Sequence, residues 1–526
     1  MKKRGKYTMP NELLLLIPGL PFLAALWIVL GFIFGWNRGE KGERETAFVV
    51  VTANTLSLLA MLALAIYDFT HGAPGHVVVF SWLQSGAYQA NVSLMLDTLS
   101  LSFGVVMATI NLLVVRFAVN YLHRESGFQR FFIVMALFSC AMLLIVLSGS
   151  ALLGFIGWEM AGISSYMLIT YAWQREAATE GATRAFVTNR FGDTGYLFGM
   201  FMAFAWLHTT EWNVLLQPHA QMSGLIVGIM AMGFMLAALV KSAQFPFSAW
   251  ITRALEGPTP SSAVFYGSVM VHAGIYLLLR IAPLLEQVVV LQYLLLLLGT
   301  LTVLYGWLGA QVQTDIKSSL LFSTQQQTGL MLVEIGMGWY TLASVHMILH
   351  AIWRAYQFLH SPSFLQQTEW QPAKSAPQWL RRYPWLYSTA VQRFWLVPLE
   401  NALLVRPTLA LALETQRFDS HFIDRLTGMP SDGQHLSTLA EMQAFQQGKL
   451  HLDNAVGVGS GVLGKLMQWV AEHFEWLESR LLLQQGGGKW GAALRQAGEY
   501  LDEIETLLMQ PRYLILLIAM TLAVIL

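Results

Sequence analysis

Between residues 12 and 360, apolar stretches of about twenty residues follow one another with only short polar breaks, the length a helix needs to cross a hydrocarbon core. Lipid offers backbone amides no hydrogen-bond partner, so such stretches must bond internally, as helices do. Candidate spans fall at roughly 12–35, 46–67, 97–118, 130–148, 150–172, 184–207, 222–245, 261–281, 287–308, 316–336 and 340–360, with a short last one from Tyr513 to Leu526. The expected fold class is all-α, a polytopic helical membrane protein of about twelve spans. With 55% hydrophobic and 12% charged residues, the composition lies outside the soluble range. Zero net charge gives no reason to expect a nucleic-acid partner. Cys140 is the only cysteine, which excludes a disulfide framework and any Cys-rich zinc or iron–sulfur site. There is no P-loop and no dinucleotide fingerprint, so energy is not expected from ATP or NADH bound here. Met1-Lys2-Lys3-Arg4 is basic, but the apolar segment after it is long enough to span, and no cleavable leader is expected.

One span is interrupted. The apolar run Leu225 to Leu239 leads into Val240-Lys241-Ser242-Ala243-Gln244-Phe245-Pro246, and a second apolar run, Val264 to Leu279, carries His272. Pro246 cannot donate a backbone hydrogen bond or continue a helix cleanly. Within a bilayer such breaks are tolerated where they line a protein-walled cavity. A charge at that depth costs about 2.5–3.5 kcal/mol on insertion scales, so Lys241 either snorkels to an interface or belongs to a proton path. Glu159 lies inside the fifth span and needs a partner or a raised pKa. It reads as a proton carrier, as an ion-pair partner that tunes Lys241, or as a structural carboxylate. Arg190 and Asp193 stand at i, i+3 and can pair within their helix, as a switching pair or a fixed salt bridge. His346, His350 and Arg354 recur every four residues on one face. Histidine titrates nearest neutrality and suits a proton relay; hydrogen bonding between helices is the alternative. With no carboxylate or cysteine nearby to complete a zinc set, a metal is disfavoured. His272 is expected in the same interior.

Lysine and arginine crowd alternate loops: Arg38, Lys41 and Arg44; Arg116, Arg124 and Arg130; Arg175 and Arg184; Arg253; Lys317. The other loops hold almost none apart from Arg280, which places the odd-numbered loops in the cytoplasm and the N-terminus outside. The alternating stretches at 76–92 read as a hairpin outside the membrane. After residue 360 a polar, proline-bearing linker runs to 389. Residues 391–416, interrupted by Pro398, Glu400, Arg406 and Pro407, are expected as an interfacial helix rather than a clean span. Residues 463–484 set Leu463, Leu466, Met467, Val470, Phe474, Leu477 and Leu481 on one face of an amphipathic helix, ended by Gly486-Gly487-Gly488. The expected organisation is N-terminal spans and hairpin (1–96), a proton-path core (97–281), a truncated second repeat (282–360), a cytoplasmic tail (361–510) and a closing membrane helix (511–526).

The stretches KSAQFPFSAW and EGPTPSSAVFYGSVMVHAG resemble the proton-conducting membrane subunits of respiratory complex I (the NuoL type) and the related Mrp-type antiporters. The resemblance covers about residues 85–360 and returns weakly near 390–430. It implies that Glu159 and Lys241 are the family's glutamate and lysine, that Arg190 and Asp193 lie near them, and that Lys317 matches a motif on a later span, unless it is an ordinary loop-edge cation. It implies no cofactor in this chain.

Three departures stand out. The family carries two repeats with a broken helix in each, and only the first is visible here. The family lysine after the histidine pair is Arg354, and arginine hardly deprotonates. The family histidine early in span eight is Tyr266. Together with the long amphipathic tail, these features resemble the DabB type, the membrane component of a bacterial inorganic carbon pump. That resemblance implies a DabA-like partner, cytoplasmic, zinc-containing and similar to a carbonic anhydrase, and a place in the bacterial inner membrane. The alternative is a proton- or sodium-translocating subunit of a complex I- or Mrp-like assembly.

Overall fold

A computed structural model describes residues 11–85, 88–217, 222–361, 375–418, 469–471, 473 and 474. The spans form as helices at the expected places: α1 (Leu16–Phe34), α2 (Gly39–His71), α3 (Thr98–Tyr121), α4 (Phe128–Leu147), α5 (Ala151–Ile169), α6 (Glu176–Leu207) and α7 (Gly224–Lys241). They continue as α8 (Thr259–Arg280), α9 (Val289–Gln311), α10 (Ile316–Gly336) and α11 (Tyr340–His360). Side-chain caps set several of the starts. Asp97 and Ser100 close a reciprocal capping box at α3, and Ser150, Ser223 and Asp315 cap α5, α7 and α10, each satisfying an amide that the helix leaves unpaired. Nine helices among the described residues are long and apolar enough to cross a membrane. The chain is a multi-pass integral membrane protein. The long helices α6, α10 and α11 fall outside those nine because of their polar residues, the ionisable groups discussed below on α6 and α11 and chiefly Gln325, Gln326 and Gln327 on α10.

Helix α6 begins at Glu176 and α2 at Gly39, each well before the apolar stretch that marks it in the sequence. Their first turns are polar and extend the helix beyond the apolar segment. Between α2 and α3 the strands β1 (Gly75–Ser85) and β2 (Tyr88–Leu96) pair antiparallel, Gly75 facing Leu96, with two register shifts. The hairpin is tied to the bundle: the Gly149 amide donates to the Ser93 carbonyl at 2.7 Å. Glu211 accepts from Ser93 Oγ at 2.5 Å and meets His76 Nε2 at 2.7 Å.

Asp97 pairs with Arg280 at the hairpin-side end of α8, and Arg280 also donates to the Tyr276 hydroxyl at 2.7 Å. Burial of Asp97 opposes its ionisation, but the Arg280 guanidinium and the Ser100 hydrogen bonds outweigh it and hold the carboxyl below its usual range. A depressed folded pKa stabilises the fold above the unfolded carboxylate value of about 3.9 and loses that contribution as pH falls through the folded value. Asp97→Asn is therefore expected to flatten the acid limb of a thermal-stability profile below about pH 4. An unchanged limb would show that the pair contributes nothing there.

Helix α7 stops at Lys241. A 3₁₀ turn (Phe247–Arg253) follows, and α8 widens to π geometry over Ala263–Ser268. Distant side chains satisfy the backbone freed at the break. Trp250 Nε1 donates to the Val240 carbonyl, the Phe245 amide donates to Thr302 Oγ1, and Gln325 Nε2 donates to the carbonyls of Ala243 and Ser248. Unpaired backbone at membrane depth is costly, so α9 and α10 hold the break in place. α6 and α7 meet through glycines: a Cβ at Gly233 would lie 2.7 Å from the Gly195 carbonyl oxygen, an approach only small residues allow.

Residues 391–416, expected as an interfacial helix, are largely helical. Helix α12 (Arg393–Gln416) is long and apolar enough to cross a membrane, and it starts with Arg393, Phe394 and Trp395 in left-handed conformations. Its early residues Leu396, Glu400 and Val405 turn inward. Pro398 falls in the first turns, where a missing amide donor costs little, and Glu400 is buried against protein, so neither interrupts the span. Contacts divide the chain into two units, 1–406 and 407–526. Of the amphipathic stretch 463–484, residues 469–471, 473 and 474 are helical. The remainder of that stretch, Gly486-Gly487-Gly488, the Tyr513 to Leu526 segment and linker residues 362–374 lie outside the described residues.

Candidate functional site

Lys241 sits at the last turn of α7 with 1% of its surface exposed, which closes the snorkelling alternative. Its Nζ donates to the Trp158 carbonyl at 3.3 Å and lies 4.9 Å from the centre of the Trp158 ring, within reach of a cation–π attraction. Space for this comes from Gly162 on α5: a Cβ there would stand 3.4 Å from Lys241 Nζ and 3.1 Å from Arg190 Nη2. The Trp158 indole donates to Asp193 Oδ1 at 2.8 Å. Arg190 bridges two carboxylates, pairing directly with Glu159 and meeting Asp193 Oδ2 at 2.8 Å.

Of the readings open for Glu159, its direct ion-pair partner here is Arg190 rather than Lys241. Arginine's planar fork can hold two carboxylates at once, while Lys241 is held one helical turn away by Trp158. Glu159, Arg190, Asp193 and Lys241 together form a set of two acids and two bases, so one extra proton leaves an uncompensated charge in a low-dielectric site.

A second centre lies on α8 and α11. Arg354 Nε donates to His350 Nε2 at 3.1 Å, and His350 Nδ1 meets His272 Nε2 at 2.9 Å. With Nε2 of His350 accepting, its proton is on Nδ1 and points at His272. His272 then carries its proton on Nδ1, which has no partner among the described residues. Arg354 is anchored by Ser323 Oγ at 2.5 Å and Gln357 Oε1 at 2.8 Å. Ser242 Oγ donates to the Val271 carbonyl at 2.7 Å, so residues adjacent to Lys241 and His272 touch. Around this junction Gln244 Oε1, Gln325 Oε1 and Ser248 Oγ are buried without partners among the described residues, positions suited to water in a hydrated interior. On the hairpin side of Trp158 a cavity of about 10 Å³, lined by Ser148, Tyr196, Tyr276 and Arg280 among others, is of the size of a single water.

His346 stands apart from this pair, its Nδ1 2.9 Å from Glu334 Oε1 and its Nε2 3.0 Å from Gln327 Oε1. The expectation that no carboxylate lies near the histidines is overturned by Glu334. The short turn between α10 and α11 makes them antiparallel neighbours, and Glu334 and His346, 12 residues apart on either side of it, come within reach. That nearness to a shared turn was the available signal. Among the described residues no group of three or more His, Cys, Asp or Glu could hold a metal. Lys317 is brought to neither centre; its Nζ donates to Thr259 Oγ1 at 2.7 Å, at the start of α8. Sequence reasoning also gave no role to Trp158, to Gln325 or to Glu400, which accepts from Thr188 Oγ1 at 2.5 Å.

Residues 148–387 match the family described as NADH:quinone oxidoreductase/Mrp antiporter, TM, and residues 82–132 match the N-terminus of NADH-ubiquinone oxidoreductase (complex I) chain 5. Over 366 residues the chain is 33% identical to NAD(P)H-quinone oxidoreductase subunit 5, organellar chromatophore 1, of Paulinella chromatophora, covering 68% of this chain and 54% of that protein. The chloroplastic subunit 5 of Gerbera jamesonii is 33% identical over 361 residues, 67% of this chain and 48% of its own length. The chain thus spans about half the length of the curated relatives it matches. Among solved structures, the Mrp complex of Dietzia sp. DQ12-45-1b superposes with a TM-score of 0.58 at 22% identity, covering 97% of this chain and 62% of that one. The membrane-bound sulfane sulfur reductase, an archaeal respiratory complex, gives 0.56 at 22% identity, over 65% and 69%. At that identity these likenesses speak to the fold alone.

Proposed function

From the premise that the chain belongs to the complex I subunit 5/Mrp antiporter-type membrane family, we propose that it is a proton-conducting subunit that powers inorganic carbon uptake by a zinc-containing, carbonic-anhydrase-like partner. The observation that carries the conducting role is the set of buried Lys241, Trp158 and Asp193 with half-buried Arg190 and Glu159, adjoining the His272–His350 pair. A proton reaching Glu159 neutralises it and loosens its hold on Arg190. Arg190 then swings fully to Asp193, and the field at Lys241 becomes more positive, which favours release of the lysine proton toward the Ser242–His272 junction. The His272–His350 pair adjoins that junction; to take up the proton the His272 ring must first turn, because its Nδ1 carries a hydrogen and its Nε2 already accepts from His350. Arg354 does not titrate here; it fixes the tautomer of His350. Each elementary charge crossing 100 mV supplies about 2.3 kcal/mol, which this subunit would pass to its partner. The chain itself is not an enzyme in this reading.

The carbon role is supported by the features that set the chain apart: Arg354 in place of a titrating lysine, Tyr266 in place of a histidine, and a polar linker after α11. The arginine-rich loops would face the cytoplasm of a bacterial inner membrane, together with a DabA-like partner. The relatives' names favour a second reading, a proton- or sodium-translocating subunit of a complex I- or Mrp-like assembly. Cells making this chain with its partner are expected to take up inorganic carbon until an uncoupler is added, and the partner that co-purifies is expected to contain zinc. Uptake that survives the uncoupler refutes the proposal; co-purification with quinone-reductase subunits favours the second reading.

A further inference from the structure

Glu400 belongs to none of the groups described for conduction, and it lies beyond residues 148–387, the stretch that matches the family's transmembrane region. It sits in a span-length helix, yet it is 5% exposed and turns inward beside Leu396, one helical turn earlier. Oε1 accepts from Thr188 Oγ1 on α6 at 2.5 Å, and the Trp250 backbone amide is a further donor to the carboxylate. Its neighbour Asn401 accepts from Arg184 Nε at 3.1 Å, and Arg393 donates to Thr252 Oγ1 at 2.9 Å. The first turns of α12 are thus docked on α6 and on the turn after the break by polar contacts. A carboxylate in such a position is costly unless paired, and among the described residues no lysine or arginine forms an ion pair with Glu400. A purely structural tether would be served by a glutamine or an asparagine, as Asn401 next to it demonstrates.

Thr188 precedes Asp193 by five residues on α6, about 7.5 Å along the helix axis and about 140° around it. Between them Asn189 leaves its Oδ1 without a partner among the described residues, a place where water would join the two. From this geometry we propose that Glu400 is a further proton-carrying carboxylate of the path, linking the Asp193–Arg190–Lys241 set through Thr188 to the arginine-rich side of the protein. This rests on the conducting reading above. It supplies that reading with a titrating group on a helix that the first repeat does not contain.

The test uses membrane vesicles from cells that make the full chain with its partner, and reads proton flux with a pH-sensitive dye. Glu400→Gln keeps the shape and the Thr188 contact and is expected to lower flux about tenfold or more; Glu400→Asp, which keeps a carboxyl, is expected to retain most of it. Dicyclohexylcarbodiimide, which attacks protonated carboxyls in apolar surroundings, is expected to modify Glu400, read by mass spectrometry, with flux falling in step. Normal flux in Glu400→Gln beside a silent Lys241→Met overturns this inference alone. Normal flux in Lys241→Met overturns the conducting reading and this inference with it. Should Glu400→Gln not accumulate, the wild-type labelling decides: flux indifferent to modification at Glu400 overturns the inference.

Discussion

Lys241→Met is expected to reduce proton flux and coupled uptake by about a hundredfold or more, the scale on which positioned acid–base groups act, while the protein still inserts and binds its partner. Methionine nearly preserves the volume and removes a charge that is 1% exposed. Its removal forfeits one hydrogen bond to the Trp158 carbonyl and one ring contact, which is small beside the packing of the bundle. Lys241→Arg is the sharper companion. Arginine keeps the positive charge but hardly deprotonates, so it should be as silent as methionine if the lysine passes a proton, and active if only its field matters. Flux near wild type in both variants, with the complex intact, would remove Lys241 from the mechanism.

Gly274→Ala should carry the largest structural effect of any single methyl. A Cβ at Gly274 would fall 2.2 Å from the Ala238 carbonyl oxygen and 2.3 Å from Ser242 Oγ. The first is backbone of α7 and cannot step aside, so α8 must move away from the break. Overpacking of this kind costs about 1–3 kcal/mol, and the displacement lengthens the Ser242–Val271 contact that joins the two polar centres. A lowered unfolding midpoint in detergent is expected together with impaired flux. Gly224→Ala is the control, since nothing lies within 4 Å of its Cβ position and alanine favours a helix. Equal midpoints for the two variants would mean that α7 and α8 are less tightly engaged than described.

The position of the break was legible because Lys241 and Pro246 are conspicuous in an apolar run, and the grouping of His350 with Arg354 followed from their four-residue spacing. Pairings between helices were not. Glu159 was linked with Lys241 because both are ionisable groups in apolar spans and the family resemblance carries both, whereas Arg190 from α6 intervenes. Glu334 was overlooked although it lies only 12 residues from His346, across the α10–α11 turn. Glu400 was counted as a blemish in an apolar stretch because its partner, Thr188, lies 212 residues away.

By itself the chain of residues determined which segments enter lipid, where one of them must break, and which ionisable groups are carried to that depth. Those follow from hydrocarbon thickness, from the missing amide of proline and from side-chain chemistry, all local properties. The tertiary structure decided which of those groups meet: Arg190 between two carboxylates, Lys241 over Trp158, His272 against His350, Glu400 under Thr188. Such meetings depend on which faces of distant helices pack together and how closely their glycines let them approach, and a periodicity read along one helix contains no information about its neighbour.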